Sequence, residues 1–342
     1  MNIFLTIDNN YAKYLAVTMA SILYNLEKNK TINFFILDGG ISEYNKIKIN
    51  NLKKIKDFNI EYITVDKSKF EKIVSSSQAH ISSETNYRFI ISSLKQNLDK
   101  CLFLDADLII DRDITELYNT DIDDYYMAAV PDQAPLDTFS WTHKLNLPEN
   151  YRYVNTGVIL VNLKKWREDN IEAKLFENVF NYSDVLMFPD QDTLNITLNS
   201  KVKYLSHIYN AMPVQNYVLK EEQKEAFNNP VIIHWAGFMK PWRFIEANCS
   251  HYFWKYARMT DFYEDIIYQN ANVHYIDYTN NRINELSSKK ITNNWNIADF
   301  IFSIKYTDIY KIITILGIKI TTRQDKTRQD KTRQDKTRQD KT

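Results

Sequence analysis

Two clusters carry side chains suited to chemistry. Asp105-Ala106-Asp107 closes a short apolar run, Cys101-Leu102-Phe103-Leu104, and offers two carboxylates at alternate positions. One can touch a divalent cation while the other shares the metal or steers sugar hydroxyls. Hard oxygen ligands suit Mg2+ or Mn2+, and an added imidazole shifts the balance toward Mn2+. A lone D-x-D is weak evidence, since Asp111 and Asp113 repeat the spacing nearby. The second cluster, His234-Trp235-Ala236-Gly237-Phe238-Met239-Lys240-Pro241-Trp242, is more specific. His234 leaves a buried strand, where a neutral imidazole can be a third ligand. Gly237 lets backbone approach a phosphate closely, and Lys240 can neutralise a diphosphate. A lone histidine at a strand end is more often structural; the glycine three positions on and the lysine six on reverse that preference.

These residues need elements to position them. Ile3 to Ile7 is an apolar run ending in the polar turn Asp8-Asn9-Asn10. Leu15, Met19, Ile22, Leu23 and Leu26 recur at helical spacing. Ile32 to Leu37 reads as a strand, Ser42 as a helix cap, and Ile60 to Val65 alternates like a strand. A helix is expected over Tyr87–Leu98, then the strand Cys101–Leu104. Strands alternating with helices over the first 105 residues predict an α/β domain with a largely parallel sheet. Its ligand crevice should lie beyond the carboxyl ends of the strands. Asp8-Asn9-Asn10 and Asp105-Ala106-Asp107 both fall there, although Asp and Asn after a strand often only make a turn. Val154 to Leu163 reads as a strand, Lys164 to about Phe180 as a helix, and Val231 to Ile233 as a last strand. Pro189-Asp190-Gln191-Asp192 opens a further helix that Asp190 is placed to cap.

Composition narrows the function classes. The 342 residues carry 43 basic and 43 acidic side chains, but not evenly. Residues 1–238 hold 25 basic against 31 acidic, and residues 239–321 hold 10 against 8. Residues 322–342, four copies of Thr-Arg-Gln-Asp-Lys and a final Thr342, hold 8 against 4. An acidic body argues against a nucleic-acid grip. Two cysteines, Cys101 and Cys249, are too few for a disulfide framework. With only 5 glycines there is no P-loop and no G-x-G-x-x-G fingerprint. No signal peptide and no spanning apolar stretch is read, so a cytosolic protein is the simplest expectation. Residues 290–320 are apolar and lightly basic. They read as an interfacial helix or as an amphipathic helix docked on its own domain. The repeat tail has no apolar residue and is expected to be disordered.

The motifs together resemble the family 8 retaining glycosyltransferases. These include bacterial lipooligosaccharide galactosyltransferases and their glucosyltransferase relatives, with glycogenin more distant. Five segments match in order over roughly residues 1–245: Thr6-Ile7-Asp8-Asn9-Asn10-Tyr11, His80 through Arg88, Leu104-Asp105-Ala106-Asp107, Asn155-Thr156-Gly157 with Asp190-Gln191-Asp192, and His234 through Trp242. The resemblance implies a GT-A type α/β fold and a UDP-sugar donor. Thr6, Asp8, Asn10 and Tyr11 would hold uridine. Asp105, Asp107 and His234 would bind Mn2+, with Mg2+ as the alternative. Gly237 and Lys240 would complete the diphosphate grip. Arg88, Asp105, Asn155, Asp190 and Gln191 would surround the donor sugar, and His80 and Asp132 would contact the acceptor. Gln191 or Asp190 would be catalytic, by a covalent intermediate or by attack from the face that UDP leaves.

The expected organisation is a catalytic domain over 1–245, a helical membrane-associating region over 246–321 and the tail over 322–342. The expected function is transfer of galactose or glucose to a saccharide acceptor, the growing lipopolysaccharide or lipooligosaccharide core. That places the protein peripherally on the cytoplasmic face of the inner membrane. Rival readings are a non-catalytic UDP-sugar-binding adaptor and a nucleotidyl- or phosphotransferase using the same aspartates.

Overall fold

A computed structural model of the chain describes residues 1–71, 73, 83–133, 142–213, 221–244, 246–270, 302–306, 310–315 and 318–323. The chain divides into two compact units, Met1–His274 and Tyr275–Thr342.

In the first unit the strands are β1 (Asn2–Ile7), β2 (Asn33–Asp38), β3 (Asn59–Thr64), β4 (Lys100–Leu104), β5 (Leu108–Ile110), β6 (Met127–Pro131), β7 (Val154–Asn162), β8 (Val202–Tyr204) and β9 (Ile232–His234). Seven of them form one sheet in the order β3-β2-β1-β4-β7-β6-β8. Only β7 runs against its neighbours. The expected mostly parallel α/β sheet is therefore present. Short β5 and β9 pair separately as an antiparallel ribbon.

The apolar runs are continuous because both sheet faces are covered. Ile3 and Leu5 of β1, Leu102 and Leu104 of β4, and Val158 and Leu160 of β7 join one core with the Ala12–Asn25 helix. Phe4, Cys101, Phe103, Ile159 and Val161 alternate into the second core with Trp166 and Leu175. Because β1, β4 and β6 run one way and β7 the other, Asp8, Asp105, Asp132 and Asn155 all emerge at one sheet edge.

Several expectations change in detail. The residues expected as a helix over 87–98 form a 3-10 segment, Ser83–Ile90, followed by the single turn Ile91–Leu94. Ser93 Oγ donates to the carbonyl of Ile90 at 2.9 Å there, a local bond that competes with continued helix. The helix expected from Lys164 to Phe180 is two, Leu163–Glu168 and Ile171–Asn181, broken where Asn170 turns left-handed at φ 52°. Asp190 does not cap the Pro189–Leu198 helix. No side chain caps it; Asp192 Oδ2 accepts from the amides of Met187 and Phe188, which precede the helix, at 2.8 and 2.9 Å. The short strands β5, β6 and β8 carry too few residues for a period to show.

The first unit also runs past residue 245. Phe253, Tyr256, Phe262 and Ile266 enter the same core. Lys48 and Lys54 pair with Asp265 and Asp261 at 2.7 and 2.6 Å.

The second unit corrects the expected C-terminal helix. Its described residues form three antiparallel strands, β10 (Phe302–Tyr306), β11 (Tyr310–Ile315) and β12 (Ile318–Arg323). Tyr310-Lys311-Ile312-Ile313-Thr314-Ile315 is rich in β-branched residues, which favour strand over helix. Residues 290–301 and the repeat tail from 324 onward lie outside the described residues. Among the described residues, no helix is long and apolar enough to cross a membrane.

One glycine fixes how β2 leaves the sheet edge. Gly39 donates its N–H to the carbonyl of Ile7 at 2.9 Å. A Cβ there would stand 2.7 Å from that oxygen and 3.2 Å from Asp8 Cα. Neither backbone atom can move aside cheaply. Gly39→Ala is expected to cost about 1–3 kcal/mol in denaturant unfolding; unchanged stability would show that this edge is loose.

Candidate active site

The chain brings Asp105, Asp107 and His234 together from distant positions. β4 ends at Leu104, and the Asp105 amide donates to the carbonyl of Gly157 at 2.9 Å, pinning the aspartate to β7. Three residues on, the chain enters β5, whose Leu108 is registered with His234 of β9. The Trp235 amide then donates to the carbonyl of Asp107 at 3.1 Å. The two-stranded ribbon therefore sets the third ligand beside the carboxylates. One ligand atom from each of Asp105, Asp107 and His234 lies within 4.8 Å of the others. His234 Nε2 is 3.1 Å from Asp107 Oδ1 and 3.8 Å from Asp105 Oδ2. The ring is 1% exposed.

Gly157 makes this approach possible. A Cβ at that position would stand on His234 Cε1 and 2.8 Å from Asp105 Oδ2. The glycine of Asn155-Thr156-Gly157 is thus a space requirement for an imidazole that is remote in sequence.

The cluster holds three carboxylates and two fixed cations. Arg88 is 1% exposed and lies over the Phe103 ring, with its Cζ 4.5 Å from the centroid. Its Nη2 contacts Asp105 Oδ1 at 2.8 Å and Asp190 Oδ2 at 3.2 Å. Its Nη1 donates to the Thr156 carbonyl at 2.8 Å and its Nε to the Thr85 carbonyl at 2.9 Å. Lys240 is 7% exposed, and its Nζ contacts Asp107 Oδ2 and the Trp235 carbonyl. The two aspartates respond differently. Burial pushes Asp107 up, but Lys240 and His234 outweigh it and hold its carboxyl well below the usual range. Burial also pushes Asp105 up; Arg88 opposes this without cancelling it, and the Asp107 charge adds to the rise. Asp105 therefore stands under-compensated, an arrangement a divalent cation would relieve. Two carboxylates and an imidazole fit such an ion, with oxygen-rich donors suiting Mn2+ or Mg2+.

A network of amides borders the carboxylates. Gln191 Oε1 accepts from the Thr156 amide and from Asn155 Nδ2, each at 3.1 Å. Gln191 Nε2 and Asn155 Nδ2 both donate to Asp132 Oδ2 at 3.3 Å. Arg88, Asn155, Asp190, Gln191 and Asp132 are thus brought together with the carboxylate pair. Asp192 supports them from behind, since Tyr153 donates its hydroxyl to Asp192 Oδ1. Asn210 was not legible as a site residue; it reaches His234 through a bridge between Ala211 and Ile233 that no local spacing encodes.

The first motif lies along the same sheet edge. Thr6 Oγ1 donates to the Glu84 carbonyl at 3.0 Å. Asp8 closes the turn after β1, accepting from the Tyr11 amide at 2.9 Å and from Asn10 Nδ2 at 3.1 Å. Burial, then the charge of Asp107, pushes the Tyr11 hydroxyl up, with Asp8 and Asp105 adding. Tyr11 meets the Trp242 ring edge-on with centroids 6.2 Å apart, and Tyr14 stacks on Trp242 at 3.9 Å. Gly237 is exposed, with no atom within 4 Å of a Cβ position. His80 lies outside the described residues.

Sequence and structure comparisons show the family and the fold. The profile of Glycosyl transferase family 8 matches residues 2–246. A Haemophilus influenzae protein named as a glycosyltransferase is 34% identical over 253 residues, 73% of this chain and 74% of its own. The lipopolysaccharide 1,2-glucosyltransferase of Escherichia coli K12 is 26% identical over 250 residues, 71% of this chain and 72% of that protein. The crystal structure of the galactosyltransferase LgtC in complex with donor and acceptor sugar analogs superposes with a TM-score of 0.68. It is 31% identical and covers 76% of this chain and 96% of LgtC. An active-site glutamine-to-glutamate mutant of LgtC matches equally well. The sheet and its covering helices are a GT-A fold, and the chain belongs to glycosyl transferase family 8 and is a glycosyltransferase.

Proposed function

We propose that this glycosyltransferase moves galactose or glucose from a UDP-sugar to a saccharide acceptor, with retention at the anomeric carbon and with Mn2+ as the ion held by Asp105, Asp107 and His234. The convergence of those three ligands beside Lys240 carries the reading. Mg2+ is the alternative ion. A lipopolysaccharide or lipooligosaccharide core is the proposed acceptor, supported by the name of the Escherichia coli relative. Peripheral association with the cytoplasmic face of the inner membrane goes with that acceptor. Its support on this chain is the apolar, lightly basic composition of residues 290–320.

The chain's own residues supply the rest of the chemistry. Asp105, Asp107 and His234 would hold a divalent ion, which would supply positive charge against departing UDP. Lys240 adds a second positive charge at the same place. Thr6, Asp8, Asn10 and Tyr11 are assigned to uridine, and the exposed backbone at Gly237 to the diphosphate. Arg88, Asn155, Asp190 and Gln191 are assigned to the donor sugar, and Asp132 and His80 to the acceptor.

The geometry favours attack from the face that UDP leaves. Gln191 is an amide whose oxygen already accepts from Thr156 and Asn155. Asp190 is 7% exposed and held by Arg88. The amide of Gln191 is a poor nucleophile, and Asp190 shares its charge with Arg88 through Oδ2. On this reading the acceptor hydroxyl bonds to the anomeric carbon as the bond to UDP breaks, and its proton passes to the leaving phosphate.

A hydrolysis screen of purified protein across UDP-hexoses with Mn2+ tests the function. UDP should be released from UDP-galactose or UDP-glucose. Asp107→Asn and His234→Ala should each reduce turnover by about a hundredfold or more while the circular dichroism spectrum is kept. Near-normal turnover by His234→Ala would contradict the metal assignment. Release of pyrophosphate would point to a nucleotidyltransferase, and binding of UDP with neither hydrolysis nor transfer to an adaptor. Gly157→Ala tests the ligand geometry separately: the added methyl should weaken Mn2+ binding about tenfold or more, and unchanged affinity would show that the ring does not need that space.

A further inference from the structure

One buried side chain beside the site has no part in the reading above. Asn210 is 0% exposed and stands between His234 and the donor-sugar amides. The adjoining backbone holds it firmly. The Ala211 amide donates to the Ile232 carbonyl, and the His234 amide to the Ala211 carbonyl, both at 2.9 Å.

The hydrogen bonds through Asn210 have a direction fixed by the backbone. The Gly157 amide can only donate, so the Asn155 atom 3.0 Å from it is the oxygen Oδ1. That orientation sends Asn155 Nδ2 toward Gln191 Oε1, which the Thr156 amide independently marks as an acceptor. Asn155 Oδ1 also faces Asn210 at 2.9 Å, so the Asn210 atom there must be the donor Nδ2. The remaining atom, Asn210 Oδ1, then faces His234 Nδ1 at 2.9 Å. An amide oxygen has no proton to give, so His234 Nδ1 must carry one. Nε2 then turns its lone pair on two carboxylate oxygens, Asp107 Oδ1 at 3.1 Å and Asp105 Oδ2 at 3.8 Å, acceptors that a shared cation would join.

We propose that Asn210 is a positioning residue that holds His234 with Nδ1 protonated, leaving the Nε2 lone pair for a divalent cation. The polarity originates at the backbone N–H of Gly157 and passes through Asn155 and Asn210 to the imidazole. The same two amides thus connect the donor-sugar side of the site to the metal side. Sequence spacing does not show this, because Gly157, Asn210 and His234 lie on three separate segments. The inference rests on the reading of Asp105, Asp107 and His234 as a cation site. Partners of this kind are commonly needed to fix the tautomer of a ligating histidine.

The test compares Asn210→Leu, which removes both polar atoms at similar volume, with Asn210→Asp, which keeps an oxygen facing Nδ1. Thermal melts confirm that each variant folds. Unbound Mn2+ is measured by electron paramagnetic resonance, without substrate or turnover. Asn210→Leu should weaken Mn2+ binding about ten- to a hundredfold, whereas Asn210→Asp should stay near wild type. In metal-free protein with 15N-labelled histidine, long-range 1H–15N spectra should show His234 Nδ1 protonated in the wild type and in Asn210→Asp. Asn210→Leu should lose that proton. Wild-type Mn2+ affinity in Asn210→Leu, equal loss in both variants, or an unchanged Nδ1 proton in Asn210→Leu would each overturn the proposal. Failure of the wild type itself to bind Mn2+ would overturn the cation-site reading instead, and the metal-free spectra would still decide the role of Asn210.

Discussion

Two carboxylates at the end of one strand set the terms for everything around them. Asp105 and Asp107 leave β4 where the sheet closes, partly buried and near each other. Like charges so placed must be compensated or one must take up a proton. Lys240 pairs with Asp107, and His234 Nε2 lies 3.1 Å from it. The chain compensates Asp105 only in part, because Arg88 is shared with Asp190. The residual demand for positive charge therefore sits on the Asp105 side. The β5–β9 ribbon, the buried guanidinium over Phe103 and the missing side chain at Gly157 all serve that arrangement. A substrate that brings its own diphosphate would add negative charge and increase the demand, so an added cation and a nucleotide sugar suit the same site.

Much of this was legible in the residues. The alternation of apolar runs with helical spacing gave the order of β1 to β4, because strands buried on both faces read as unbroken apolar segments. Asp105, Asp107 and His234 stood out since each closes such a run. Residues acting only through tertiary contact were not legible. Asn210 lies in no motif, and its value comes from a bridge to β9. Gly157 was visible in Asn155-Thr156-Gly157, but the ring it admits is supplied by β9. Asp190 and Asp192 both had a capping residue's chemistry; Asp192 turns back to the Met187 and Phe188 amides while Asp190 pairs with Arg88. At the other end, apolar and basic composition suggested a helix over 290–320. The β-branched content of β11 and β12 outweighs that composition.

The charge distribution takes on a sharper meaning beside the geometry. The acidic excess of residues 1–238 includes Asp8, Asp105, Asp107, Asp132 and Asp190, all along one sheet edge. Lys240, just beyond that span, returns to Asp107. The family match ends at residue 246, yet the first compact unit continues to His274. The added residues support the aromatic cluster beside Tyr11: Phe253 packs on Trp242, and Gln269 accepts from the Tyr14 hydroxyl at 2.9 Å.

The proposed reaction depends on the coupling of a divalent cation to a nucleoside diphosphate at one place. Calorimetric titration of UDP into the purified protein, with and without saturating Mn2+, measures that coupling directly. If Asp105, Asp107 and His234 hold the ion that the diphosphate contacts, Mn2+ should tighten UDP binding by about tenfold or more, a coupling of about 1.4 kcal/mol or greater. Equal UDP affinity with and without the ion would contradict the central claim.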